Sequence, residues 1–135
     1  MLVVDTCILI DIADDDPQFG LPSAQCLSTY LPGGLVISPI SYVELAPVFE
    51  GSARILETFL HGLGVTYDQG FGRVDRATAF SAWAGYVSRK RAGQAGRPPV
   101  ADALIGAMAM RHAGLITRNG GEFLAFFPEL AIVTP

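Results

Sequence analysis

Cysteine is scarce in this chain. Only Cys7 and Cys26 occur, and they form no CxxC or other metal-ligand spacing. That argues against a thiolate metal centre and for reduced thiols. Positive charge is also in short supply. Nine Lys and Arg stand against thirteen Asp and Glu, a net charge of −4 with pI ≈ 4.9. This balance argues against a broad, charge-driven grip on nucleic acid, though not against a local basic patch. No apolar run approaches the roughly 18–20 residues of a membrane span. No secretory signal is expected before Asp5, because the chain enters its first expected strand at Leu2. Internal repeats, low-complexity segments and interdomain linkers are absent. The expectation is a soluble cytoplasmic protein.

What the chain does have is hydrophobic material. Half of its 135 residues are hydrophobic, enough for one substantial core. A single domain over 1–135 is expected. Short apolar runs alternate with helical stretches. Leu2–Val4, 35–38, 65–67 and 115–117 read as buried strands, with 130–133 as a fifth. Thr6–Ala13, 23–31, 41–49, 52–63, 74–91 and 100–112 read as helices, with Gly51 and Gly64 as stops. On the longest, Phe80, Trp83, Ala84 and Val87 share one face at helical spacing. Ala101, Leu104, Ile105, Met108 and His112 do so on the next. Residues 92–99 are a Gly/Pro-rich connector, and Asn119-Gly120-Gly121 reads as a tight turn. Asp14, Asp15 and Asp16 read as a solvated loop. Strands alternating with helices predict an α/β fold, three layers with a central four- to five-stranded parallel sheet.

Polar stations recur at the carboxyl ends of these runs, or at the helix starts facing them. They are Asp5, Glu44, Asp102 and Asn119. Each has a local explanation. Asp5 suits an N-cap. Glu44 stands three residues after Ser41, the spacing of a capping box. Asp102 complements the dipole of its helix, Asn119 suits a turn, and Glu122 suits a solvated helical turn. The joint pattern points elsewhere. Carboxyl ends of parallel strands share one edge, where open α/β sheets keep their ligands. Carboxylates converging there repel one another unless a cation intervenes. Hard oxygen donors suit Mg²⁺ or Mn²⁺, and phosphodiester hydrolysis is the natural chemistry of such a site.

Four segments carry a family resemblance. They are Asp5-Thr6, Ser38-Pro39-Ile40-Ser41-Tyr42-Val43-Glu44-Leu45, residues 96–107 around Asp102, and Ile116-Thr117-Arg118-Asn119-Gly120-Gly121-Glu122-Phe123. In order and over nearly the whole chain, they resemble a PIN domain, and more closely a VapC-type toxin ribonuclease of a type II toxin–antitoxin system. The resemblance implies a PIN-like fold. It also implies Mg²⁺- or Mn²⁺-dependent endoribonuclease activity leaving 5′-phosphate and 3′-hydroxyl ends. It places metal binding on Asp5, Glu44 and Asp102, with Asn119 at the fourth catalytic position and Glu122 supplying a remaining carboxylate. It implies a cognate antitoxin protein and a homodimer. Cys7 departs from the Asn or Ser usual after Asp-Thr.

For the RNA, Arg89, Lys90, Arg91, Arg97 and Arg118 flank the proposed site in sequence. Thr6, Arg89, Arg91, Arg97 and Arg118 are the expected substrate contacts. Arg89 to Arg91 also suit the carboxyl end of a helix. Single-stranded or loop RNA is the expected target, because it can be splayed into a crevice. Phosphatase alternatives fit less well. Cys7 occupies the place where an Asp-based phosphotransferase needs its second Asp. A cysteine phosphatase needs an arginine that residues 8–13 lack. The remaining alternative is a catalytically impaired interaction module on the same fold.

Overall fold

The computed structural model describes residues 1–90 and 100–135. Five short strands form one sheet: β1 (Leu2–Val4), β2 (Leu35–Val36), β3 (Val65–Thr66), β4 (Leu115–Ile116) and β5 (Ile132–Val133). Their order is β3-β2-β1-β4-β5, and every pairing is parallel. The helices among the described residues are α1 (Thr6–Ala13), α2 (Gly20–Tyr30), α3 (Pro39–Glu44), α4 (Ala53–Leu63), α5 (Arg73–Lys90), α6 (Val100–Arg111) and α7 (Gly120–Phe126). The fold is α/β with a five-stranded parallel sheet between two helical layers, a PIN-like arrangement.

Alternation along the strands creates the layers. Successive side chains of a strand point to opposite faces. Val3, Val36 and Leu115 therefore face one core, shared with α5, α6 and α7. Val4, Leu35 and Ile116 face the other, shared with α1, α2 and α4. Fully buried Ile8 and Leu9, Leu60 and Met108 bring α1, α4 and α6 down onto the sheet. Each such side chain contributes roughly 1.5–3 kcal/mol through removal from water. Glycine sets one close approach. A Cβ at Gly106 would lie 2.5 Å from the Phe127 ring, so α6 admits that ring only without a side chain there.

Three local readings change. The third helix starts at Pro39 and not at residue 41. Ser38 is its N-cap, accepting from the Ser41 amide, and Pro39 occupies the first turn, where its missing N–H costs nothing. Ser41 is thus spent inside the helix, and Glu44 is released from the capping box. Asn119-Gly120-Gly121 opens α7 and is not a tight turn. On α5 the inward face centres on Asp75 and Ala79, while Phe80 is 77% exposed. Of the expected face, Phe80 and Ala84 point outward, while Trp83 packs against the core and Val87 is half-buried. Asp75 is buried because the Arg111 guanidinium meets it with two hydrogen bonds, at 2.7 and 3.0 Å. The 92–99 connector, and with it Arg91 and Arg97, lies outside the described residues.

The strand order positions the site. From β1 the chain first builds outward through β2 and β3. It then crosses to the other side for β4 and β5. The reversal falls between β1 and β4, where connections leave the sheet in opposite directions and open a crevice.

Candidate carboxylate site

Asp5 follows β1 directly and caps α1. Its backbone is extended (φ −72°, ψ 150°), and its Oδ1 accepts from the Thr6 amide at 2.8 Å. Its Oδ2 accepts from the Thr117 hydroxyl at 2.6 Å and from the Cys7 thiol at 3.3 Å. Thr117 follows β4, so the two strands at the reversal point are tied by this one carboxylate. The Thr117 oxygen in turn accepts from the Asn119 amide at 2.9 Å and sets the entry into α7. Asp5 is only 5% exposed. It is an N-cap and a member of the cluster at once, so the two readings of its sequence position do not compete.

Glu44 closes α3. The Thr6 hydroxyl donates to its Oε1 at 2.7 Å. Thr6, an expected substrate contact, is buried and points its hydroxyl at this carboxylate. Asp102 sits in the first turn of α6 and Glu122 in the first turn of α7. Their influence on each other is direct. Burial pushes the Asp102 carboxyl up to about 7, aided by the charges of Asp5, Glu122 and Glu44 and by a hydrogen bond with Glu122. Side chains from four elements therefore share one electrostatic neighbourhood of excess negative charge. Among the described residues, no three His, Cys, Asp or Glu side chains are arranged so that they could hold a metal ion. The carboxylates influence one another electrostatically without forming a closed cage. Oxygen-only donors of this kind fit magnesium, which keeps several waters and takes one or two carboxylates. They do not fit a metal that needs a full set of protein ligands.

Cys7 is held as a thiol. Burial first, and then the Asp5 charge, raise its pKa to about 11. It serves as a weak donor to Asp5 and is no nucleophile near neutrality. Asn119 occupies the N-cap position of α7, but its side chain makes no capping hydrogen bond. Only its backbone amide is engaged with the cluster, through Thr117.

The expected basic contacts divide differently. Arg118 forms a two-pronged pair with Asp11, at 2.7 and 2.9 Å, and its guanidinium lies 3.9 Å from the centroid of the Phe19 ring. Asp11 is buried and also accepts from Ser23. Arg118 is therefore an internal brace between α1 and the β4–α7 turn. Arg89 donates to the Ala125 carbonyl at 2.9 Å, which pins it to α7. Arg91 and Arg97 fall outside the described residues. The residue that sequence reasoning missed is Thr117. Its signal is its place, a hydroxyl one step past an apolar strand, matching Asp5 on the neighbouring strand.

No protein-family model matches the chain. No curated protein matches it either. Solved structures do. One is FitAB bound to an IR36 DNA fragment, at 18% identity over all of this chain and 95% of that one, with a TM-score of 0.68. A second is VapBC2 from Rickettsia felis bound to a DNA fragment from its promoter, at 18% identity over 98% and 97%, TM-score 0.72. A third is FitAcB from Neisseria gonorrhoeae, at 19% identity over 98% and 96%, TM-score 0.68. Identity at this level shows a shared fold alone. It corrects the family assignment expected from sequence. The matches are two-component FitAB and VapBC assemblies, their names do not say which component this chain resembles, and no family model supports membership. Assignment to the PIN-domain family as a VapC-type toxin ribonuclease therefore does not stand, while the PIN-like fold does.

Proposed function

We propose that this chain is a divalent-metal-dependent endoribonuclease that works as the toxic half of a toxin–antitoxin pair. The observation that carries the reading is the electrostatic coupling of Asp102 to Asp5, Glu44 and Glu122, side chains that stand after β1, at the end of α3 and in the first turns of α6 and α7. Four carboxylates so placed are costly to keep together without a cation. Asp5 and Asp102 would hold Mg²⁺ or Mn²⁺, with Glu44 and Glu122 beside them. When bound, such an ion polarises a phosphoryl oxygen and lowers the pKa of a bound water.

The protein's own groups do the positioning. Thr117 and Cys7 fix the Asp5 carboxylate by donating to Oδ2, and Thr6 fixes Glu44 by donating to Oε1. Burial of Asp5 and Thr117 keeps their hydrogen bonds out of competition with water. The partner protein is proposed from likeness in fold to the FitAB and VapBC assemblies. Homodimer formation and a cytoplasmic setting belong to the same proposal. Among the described residues no helix is long and apolar enough to cross a membrane.

One observation favours a second reading, an interaction module with impaired chemistry. No three of the described acidic, His or Cys side chains are arranged so that they could hold a metal as they stand. Expression of wild type and Asp5→Asn in a bacterial host separates the two. Growth arrest with discrete new 5′ RNA ends in the wild type alone supports the ribonuclease. Soluble, folded wild-type protein that causes neither effect supports the module.

A further inference from the structure

The chain carries more acid than base, yet α5 gathers basic and aromatic groups on its outer face. The α5 positions 73, 76 and 80 follow i, i+3, i+7 spacing, so their side chains share one strip of the helix. Arg73 and Arg76 are exposed, and Phe80, at 77%, is the most exposed large hydrophobic side chain among the described residues. Ala77 and Ala84 lie on the same strip and are small, which leaves the Phe80 ring clear. Three other arginines are spent: Arg111 on Asp75, Arg118 on Asp11, and Arg89 on the Ala125 carbonyl. Arg73 and Arg76 make no ion pair or side-chain hydrogen bond among the described residues. The sole acid of α5, Asp75, is buried, so nothing on this helix's surface cancels their charge.

We infer that Arg73, Arg76 and Phe80 form a docking strip for single-stranded RNA outside the carboxylate crevice. The inference rests on the ribonuclease reading and names where its substrate is first held. An exposed aromatic ring stacks on any base, and flanking arginines meet the phosphates on either side. Stacking requires a ring open on its face, which is how Phe80 stands. A symmetric contact between two α5 helices is the less suited occupant. It would gather the arginines of two copies and gain no ion pair from α5. The strip also leads toward the crevice. Asp75, near the start of α5, pairs with Arg111 at the end of α6, so the two helices run in opposite directions. The end of α5 therefore lies toward the start of α6, where Asp102 stands. From Phe80 to that end is roughly 15 Å at the α-helical rise, a span for a few nucleotides.

The test is binding of a short, fluorescein-labelled 2′-O-methyl oligouridylate to the full chain in EDTA, read by anisotropy over a salt series. The probe resists cleavage, and chelation silences the carboxylate site. Wild type should bind, with affinity falling as salt rises. Phe80→Ala should weaken binding about tenfold, and Phe80→Tyr should retain it. Arg73→Gln with Arg76→Gln should lower affinity and flatten the salt dependence, whereas Arg54→Gln on α4 should change neither. Wild-type binding unaltered by all the α5 variants would overturn the strip, as would an equal loss in Arg54→Gln or no binding at all. So would Phe80→Ala turning a dimer into a monomer in sedimentation at unchanged RNA affinity, which would assign the strip to protein. Binding that follows the strip, in a chain that never cuts RNA in magnesium, would sustain the strip while removing the ribonuclease reading.

Discussion

The Thr117 hydroxyl donates to Oδ2 of Asp5 across 2.6 Å, joining the ends of β4 and β1 at the point where the sheet reverses direction. Both residues are buried. Replacing Thr117 by Val keeps the shape and removes the donor. It leaves one oxygen of a buried carboxylate to the weak Cys7 thiol, and it orphans the Asn119 amide as well. Such losses cost about 1–3 kcal/mol. Urea denaturation should show that loss for Thr117→Val and near-complete recovery for Thr117→Ser. Equal stability of all three would remove this bond from the account.

Arg118 offers a direct test of brace against substrate contact. Its side chain is 28% exposed and Asp11 only 4%, so truncation leaves a buried carboxylate without its cation. Arg118→Ala should destabilise the fold by roughly 3 kcal/mol. The salt dependence of RNA binding should stay as in wild type. A stable variant with a flattened salt slope would return Arg118 to the substrate.

Acid should lower the stability of the fold over two pH ranges. Burial pushes the His112 imidazole below its usual value, with the Arg111 charge adding to the effect. A depressed histidine contributes stability at higher pH, and that contribution is lost as pH falls from about 6.5. Asp75 acts lower down. Burial alone would raise its carboxyl, but the Arg111 guanidinium and the Gly72 amide outweigh burial and hold it below the usual carboxylate range. Its contribution is present above about pH 4 and fades as pH falls through the folded-state value. Asp75→Asn should be less stable than wild type at neutral pH, and the gap should close in acid. A gap that stays constant from neutral to strongly acidic pH would contradict this ion pair's role.

The Gly106–Phe127 contact predicts intolerance of a single methyl group. At 2.5 Å from a buried ring, the new Cβ of Gly106→Ala forces α6 and α7 apart. A loss of about 1–3 kcal/mol is expected, read as a lowered thermal midpoint. A midpoint at or above that of wild type would show that the ring has room to shift.

Sequence patterns carried some of this arrangement and were blind to the rest, for physical reasons. Leu2–Val4 followed by Asp5 announces a buried strand and a capped helix, and both are found with those bounds. Asp102 stands out because helix starts are few and local in the sequence, whereas Glu44 closes α3. The outward turn of Phe80 is not local. It follows from burial of Asp75, and that depends on Arg111, distant in sequence. The engagement of Arg118 is non-local in the same way. Its partner Asp11 lies in α1, and adjacency to Asn119 in the chain says nothing about which way the guanidinium points. Helix α3 turned on a contest between two serines, which Ser38 wins because Pro39 prefers the first helical turn.

The proposed metal-dependent cutting site requires the carboxylates to act together, and Asp102 feels the charges of Asp5, Glu122 and Glu44. The decisive measurement is cleavage of an end-labelled RNA by purified wild type and Asp102→Asn, each in magnesium and in EDTA, with folding matched by circular dichroism. Wild type in magnesium should give discrete products with 5′-phosphate ends, wild type in EDTA should give none, and Asp102→Asn should give none in either. Cleavage by wild type that persists in EDTA, or equal cleavage by the variant, would contradict the proposed site.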